Sequence, residues 1–211
     1  EWGMYPQTYN AYYSPSNNEI CVPACNILVP GFEGRMPDDA VLYGIIGGST
    51  FGHEITHGFD DQGSQYDEKG NLNNWWTDED RKKFEAATAK LDAQYSAYEP
   101  VKGSFVNGKF TMGENIADLG GVNIAFDALQ MYLKDKGNPG KISGFDQNQR
   151  FFLSWATVWR TKGTEKFYIN QVKTDSHSPG MYRAFGPLVN TEAWYKAFGV
   201  KEGDKHYKKP E

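Results

Sequence analysis

His53-Glu54-Ile55-Thr56-His57 sets two imidazoles four residues apart, with a carboxylate next to the first. On a helix, positions i and i+4 lie one turn apart on the same face. Both rings can then reach one ion, while Glu54 projects beside them. In this arrangement two histidines bind zinc and the glutamate acts as general base. Two of the chain's 4 histidines fall in this one pentapeptide. Two polar rings would pack poorly on a helix that is otherwise apolar, so the segment reads as a zinc site.

A catalytic zinc usually has three protein ligands and a water. His177, His206, a cysteine or a carboxylate could supply the third. The strongest candidates are Glu114 and Asp118, again at i and i+4. One can bind the metal while the other accepts the proton on the far nitrogen of a ligand histidine, fixing its tautomer. Carboxylates at this spacing also occur on solvated helix faces. The flanks Met112-Gly113 and Leu119-Gly120-Gly121 instead mark a closely packed segment.

These groups need elements to hold them. Aromatic and β-branched residues between turn signals predict strands over Met4–Tyr13 and Glu19–Val29, joined by the turn cluster 14–18. A helix capped by Asp38 or Asp39 is expected to run to Phe59, with Gly44, Gly47, Gly48 and Gly52 signalling close packing against another segment. A polar loop follows over 60–74, then a charged helix from Thr77 to Tyr98. Val101–Phe110 is expected to form a hairpin around Asn107-Gly108. Further helices are predicted over 112–136, 146–161, 164–171 and 191–198. The expected class is α+β, mainly α, with a small N-terminal sheet.

With 211 residues, 39% hydrophobic and 15% aromatic, the chain can bury a core. A net charge of −5 argues against a general nucleic-acid binder. No apolar run approaches the roughly 20 residues of a membrane span, so no membrane contact is expected from this segment. Cys21 and Cys25, on one face of an expected strand, would be too far apart to bridge, so both read as free thiols. Trp75 and Trp76 read as packing, and 205–209 as a frayed terminus.

The combination resembles the neprilysin and endothelin-converting-enzyme family of zinc metallopeptidases over nearly the whole chain. The matching stretches are His53 to Asp61 (HEITHGFDD), Gly113 to Gly121 (GENIADLGG), Asn10 to Tyr13 (NAYY), Trp75-Trp76, Arg150 to Leu153, and Asp175 to Pro179 with Arg183. The resemblance implies a thermolysin-like arrangement of helices and one zinc per chain on His53, His57 and Glu114. It implies that Glu54 is the base, that Asp118 orients a ligand histidine, and that His177 stabilises the oxyanion. Asn10 and Ala11 would bind the peptide main chain, Arg183 would hold substrate carbonyl groups, and Val158 and Trp159 would wall the pocket after the scissile bond. Residues 1–211 would form the catalytic domain of a longer chain, with a helical N-terminal domain absent as a partner. The location would be extracytoplasmic: periplasmic, secreted or membrane-anchored. Three departures stand out. Cys25 replaces a customary glycine, Ser49 and Thr50 replace apolar residues, and the end at 208–211 lacks the family's terminal tryptophan.

The implied reaction is zinc-dependent hydrolysis of oligopeptides. Two rival readings compete with it. One is a fragment that binds metal and peptide with little turnover for want of its other domain. The other is a thermolysin-like or aminopeptidase hydrolase, disfavoured by 10–13 and 177–183.

Overall fold

Thr77 accepts the Asp80 amide and begins a helix over Asp78–Ser96, while Asp146 and Gln149 form a reciprocal capping box that begins another over Gln147–Val158. These starts were legible, and they anchor a mainly helical molecule seen in a computed structural model that describes residues 2–208. In chain order the elements are β1 (Tyr12–Ser14), β2 (Glu19–Cys21), and a long helix α1 made of three segments, Asp39–Leu42, Tyr43–Gly52 and His53–His57. Then follow α2 (Asp78–Ser96), α3 (Met112–Lys136), α4 (Gln147–Val158), α5 (Glu165–Thr174), α6 (Gly180–Phe185) and α7 (Glu192–Phe198).

The sheet is smaller than expected. β1 and β2 pair antiparallel in the register Tyr12↔Cys21, Tyr13↔Ile20, Ser14↔Glu19. Pro23 follows β2, and 24–27 turn into a short 3-10 helix, because proline cannot donate to a continuing ladder. Cys21 and Cys25 are indeed free, but they do not share a strand. The expected hairpin at 101–110 is absent. Only an isolated bridge, Val101↔Ser104, forms among the described residues there. Asn107 instead accepts the Phe110 amide on its side chain and the Thr111 amide on its carbonyl, turning the chain toward α3.

The middle of α1 is wound as a π-helix, so that His53 donates its amide to the Gly48 carbonyl, five residues back. This segment packs against α3 at glycines. A Cβ at Gly52 would stand 2.8 Å from the Gly121 carbonyl oxygen, and one at Gly121 would stand 2.8 Å from the His53 amide nitrogen. Only glycine permits that approach, and it brings the histidine segment against the helix that carries Glu114 and Asp118.

Behind this pair lies a core of Val122, Leu129, Phe151, Phe152, Trp155 and Leu188, linking α3 to α4. A second cluster, including Leu91, Tyr95, Met112, Val172 and Tyr182, ties α2, α5 and α6 to α3. Arg150 reaches Asp38 at the start of α1, so that Asp38 spends its carboxylate on an ion pair and leaves the helix uncapped by its side chain. Trp75 and Trp76 do pack, donating to the Tyr66 and Ser64 carbonyls. The tail is not frayed through Lys208. His206 lies against Phe185, and the Lys208 ammonium donates to Gln94. Lys209, Pro210 and Glu211 lie outside the described residues.

Candidate metal centre

α1 and α3 face each other across the glycine contact, and their polar side chains meet at its end. His53 and His57 project from one face of α1, their Nε2 atoms 3.1 Å apart. Glu114, in the first turn of α3, places Oε2 3.2 Å from His53 Nε2 and Oε1 3.7 Å from His57 Nε2. One ligand atom from each of the three lies within 4.8 Å of the others, a group able to hold a metal ion.

The far sides of both rings are already committed. His53 Nδ1 stands 2.8 Å from Asp118 Oδ1, and His57 Nδ1 stands 2.7 Å from Asp60 Oδ2. A carboxylate at Nδ1 holds the proton there, which leaves each Nε2 with a lone pair. Two lone pairs 3.1 Å apart repel unless a proton or a metal cation lies between them. Glu114 Oε2 is also buried, with no hydrogen bond among the described residues and the His53 and His177 Nε2 atoms each 3.2 Å away. A divalent cation with nitrogen and oxygen ligands would satisfy all three, and the donor set suits zinc.

Arg183 closes the rear of the site. Its Nε and Nη2 each donate to Asp118 at 2.7 Å, a bidentate pair with no exposure on the carboxylate. The guanidinium also lies 3.8 Å from the Trp159 ring centroid. Burial pushes the Asp118 carboxyl up, but the Arg183 guanidinium holds it below its ordinary value. Burial draws the His53 imidazole down, yet the Asp118 and Glu114 carboxylates outweigh this and raise it to about 9. In Glu114, burial is likewise overcome by the imidazoles of His177 and His53, and its carboxyl falls well below the ordinary range.

Glu54 is buried beside the histidines, and burial is the main reason its carboxyl is raised. His177 places Nε2 3.2 Å from Glu114 Oε2, and its Nδ1 lies 2.8 Å from Asp175 Oδ1. The contact with Glu114 is the main cause that raises the His177 imidazole.

A cleft of 560 Å³ brings together Asn10, Ala11, His53, Glu54, His57, Glu114, Val158, Trp159, His177 and Arg183. Ser49 and Thr50 line the same cleft. Of the residues expected at the site, Asp118 alone is absent from this lining, because it sits behind His53 with no exposure. Asn10 and Ala11 precede β1 rather than lying within a strand. His206, in the tail expected to fray and so no candidate in the end, packs on Phe185. Two carboxylates were missed. Asp60 follows His57 by three residues, the spacing at which side chains meet on a helix turn, and that signal was available. Asp175 was readable only as part of a longer match.

A model of the family described as Peptidase family M13 matches residues 10–211. Neprilysin-11 of Caenorhabditis elegans is 46% identical over 198 residues, which is 92% of this chain and 23% of that protein. Endothelin-converting enzyme 1 of Homo sapiens is 42% identical over 205 residues, 96% of this chain and 26% of its own. The crystal structure of the Mycobacterium tuberculosis zinc metalloprotease Zmp1 in complex with an inhibitor superposes with a TM-score of 0.92 at 48% identity, covering 100% of this chain and 32% of that one. PepO from Lactobacillus rhamnosis HN001 superposes with a TM-score of 0.86 at 35% identity, covering 100% and 31%. The chain thus spans between a fifth and a third of the length of these proteins.

Proposed function

The chain belongs to peptidase family M13, and we propose that it forms the catalytic part of a zinc-dependent endopeptidase that hydrolyses oligopeptides. The observation that carries this reading is the pair of histidine Nε2 atoms 3.1 Å apart, each with Nδ1 held by a carboxylate, beside a buried and unsatisfied Glu114 oxygen. His53, His57 and Glu114 would hold one zinc per chain. When bound, zinc supplies a Lewis acid that polarises an oxygen and makes a water acidic near neutral pH.

The protein's own residues supply the rest. Glu54, raised by burial, is poised to take a proton from the attacking water and to pass it to the leaving amine. Asp118 and Asp60 keep His53 and His57 in the tautomer that presents Nε2. His177, whose imidazole is raised chiefly by its contact with Glu114, can donate to the oxygen on which negative charge develops. Arg183 spends two donors on Asp118; its remaining donors at the cleft wall are suited to substrate carbonyl groups. Asn10 and Ala11 lead into β1, whose outer edge has no paired strand among the described residues. An extended peptide could add there by main-chain pairing. Val158 and Trp159 would wall the pocket for the side chain after the scissile bond, with Ser49 and Thr50 adding polar groups to the cleft.

Because the chain covers so small a share of its relatives, the domain that closes the cleft is proposed to lie elsewhere in a longer protein outside the cytoplasm. Zinc titration of the metal-free protein, followed by hydrolysis of a short peptide by the full-length enzyme, tests the reading. One zinc per chain and zinc-dependent cleavage are expected. Hydrolysis that survives complete zinc removal would overturn it.

A further inference from the structure

His177 belongs to the loop between α5 and α6, and its bonds to Asp175 do not fix it relative to α3. Asp175 holds both the His177 amide, at 2.9 Å, and Nδ1, at 2.8 Å. That clamp spans two residues and is 44% exposed, so it orients the ring only against its own loop. The next residue does something different. Ser178, 1% exposed, donates its hydroxyl to Asn115 Oδ1 at 2.8 Å, across 63 residues of sequence. Asn115, also 1% exposed, directly follows Glu114. Its amide donates to Thr111 Oγ1 at 2.9 Å, and the Thr111 hydroxyl donates to the Asn107 carbonyl at 3.1 Å. Every link runs in one direction and ends on a backbone acceptor, so the chain of bonds fixes each hydroxyl proton.

We propose that Ser178 and Asn115 are positioning residues, whose buried bond sets where the His177 ring stands relative to Glu114. The inference rests on the reading of His177 as the donor to the developing oxyanion. The two ends of the strut adjoin the two residues whose side chains meet at 3.2 Å in the site. Neither Ser178 nor Asn115 lines the central cleft, so the strut acts through its neighbours. Losing the Ser178 hydroxyl leaves Asn115 Oδ1 buried and unpaired, and the loop is then free to shift. A displacement of about 1 Å in a group that must meet a reacting atom can cost on the order of 100-fold in rate.

The test is a double-mutant cycle in the full-length, zinc-loaded enzyme on one short peptide. Ser178→Ala should lower kcat by roughly 10- to 100-fold with KM changed by less than about 2-fold. Ser178→Thr should recover most of that loss. In a His177→Ala background, Ser178→Ala should have almost no further effect on kcat. A crystal structure of metal-free Ser178→Ala should show His177 Nε2 farther than 3.2 Å from Glu114 Oε2. If Ser178→Ala does not fold, Thr111→Val removes the acceptor that holds the Asn115 side-chain amide and should give a weaker effect that also vanishes with His177→Ala. An equal fall in both backgrounds would show a merely structural role and overturn the proposal. An unaltered kcat in Ser178→Ala, with His177→Ala impaired, removes the proposal alone. An unaltered kcat in His177→Ala removes the reading of His177 and the proposal with it.

Discussion

The His53 flank of the site and the His177 flank use the same bond in opposite surroundings. His53 Nδ1 and His177 Nδ1 each stand 2.8 Å from a carboxylate oxygen. Asp118, behind His53, has no exposure and is gripped by Arg183, whereas Asp175, beside His177, is 44% exposed. Equal distances do not mean equal energies. In the interior, fields are weakly screened and an unpaired partner is costly. At the surface, water competes and salt screens, and such pairs contribute about 0–1 kcal/mol. His57 and Asp60 stand between these extremes, with side chains 17% and 6% exposed. The His53 and His57 rings are thus held by buried carboxylates. The ring at the rim is held weakly by its carboxylate and needs other support.

Glu54 neither backs an imidazole Nδ1 nor is expected to hold the metal, so its loss should have the largest effect on rate and leave the locks intact. Glu54→Gln should keep zinc and lower kcat by roughly 10²- to 10⁴-fold. Metal analysis beside peptide kinetics reads both. A parallel loss of zinc would place Glu54 among the groups that hold the metal and break the division drawn above.

Asp118→Ala attacks the buried extreme. It frees the His53 tautomer and leaves Arg183 buried without its carboxylate. Zinc affinity should fall about 10–100-fold, and stability should fall by about 3–5 kcal/mol, as when one member of a buried pair is removed. Competition with a chelator and denaturant unfolding measure the two. Unchanged stability would show that Arg183 finds another partner. Asp60→Asn should give a smaller version, about 10-fold in zinc affinity. Because Asp60 Oδ1 also accepts the Gln62 and Gly63 amides, the 60–65 turn should loosen as well. An effect of Asp60→Asn larger than that of Asp118→Ala would mean that burial is not what ranks the locks.

Much of this was readable in the sequence, for physical reasons. Thr77 and Asp146 announce their helices because capping is local chemistry, and α3 was bounded by Gly137 and its following proline. The i and i+4 spacing placed His53 with His57 and Glu114 with Asp118, because helix geometry alone fixes those faces. The π-winding of 43–52 was not readable, since apolar spacing does not distinguish four-residue from five-residue hydrogen bonds. Its glycines did signal the close approach to α3 that the structure shows at Gly52 and Gly121. The false hairpin at 101–110 shows the opposite failure. Asn107-Gly108 carries a strong local turn signal, but Gly108 packs under α2, where its amide donates to Ser96. Tertiary contact decided that segment. The short helix α6 escaped because six residues after Ser178-Pro179 carry too little periodicity to read. Yet it delivers Arg183 to Asp118.

The smallest effect is expected at the exposed extreme, and it tests whether depth is the governing variable. Asp175→Asn removes the charge that faces His177 Nδ1 but keeps an oxygen that can accept from the ring and from the His177 amide. With the side chains of both partners nearly half exposed, the lost attraction is that of a surface pair. That amounts to at most about 1 kcal/mol, or roughly 5-fold in kcat. The deficit should shrink further as salt rises, because at about 1 M the screening length falls to about 3 Å, comparable to the contact itself. The kcat ratio of wild type to Asp175→Asn, measured at low salt and again near 1 M, should therefore decline toward one. The corresponding comparison for Asp118→Ala should barely move, since no salt reaches a carboxylate with no exposure. A salt-independent deficit at Asp175 as deep as that at Asp118 would show that bond geometry, and not burial, sets the strength of these locks.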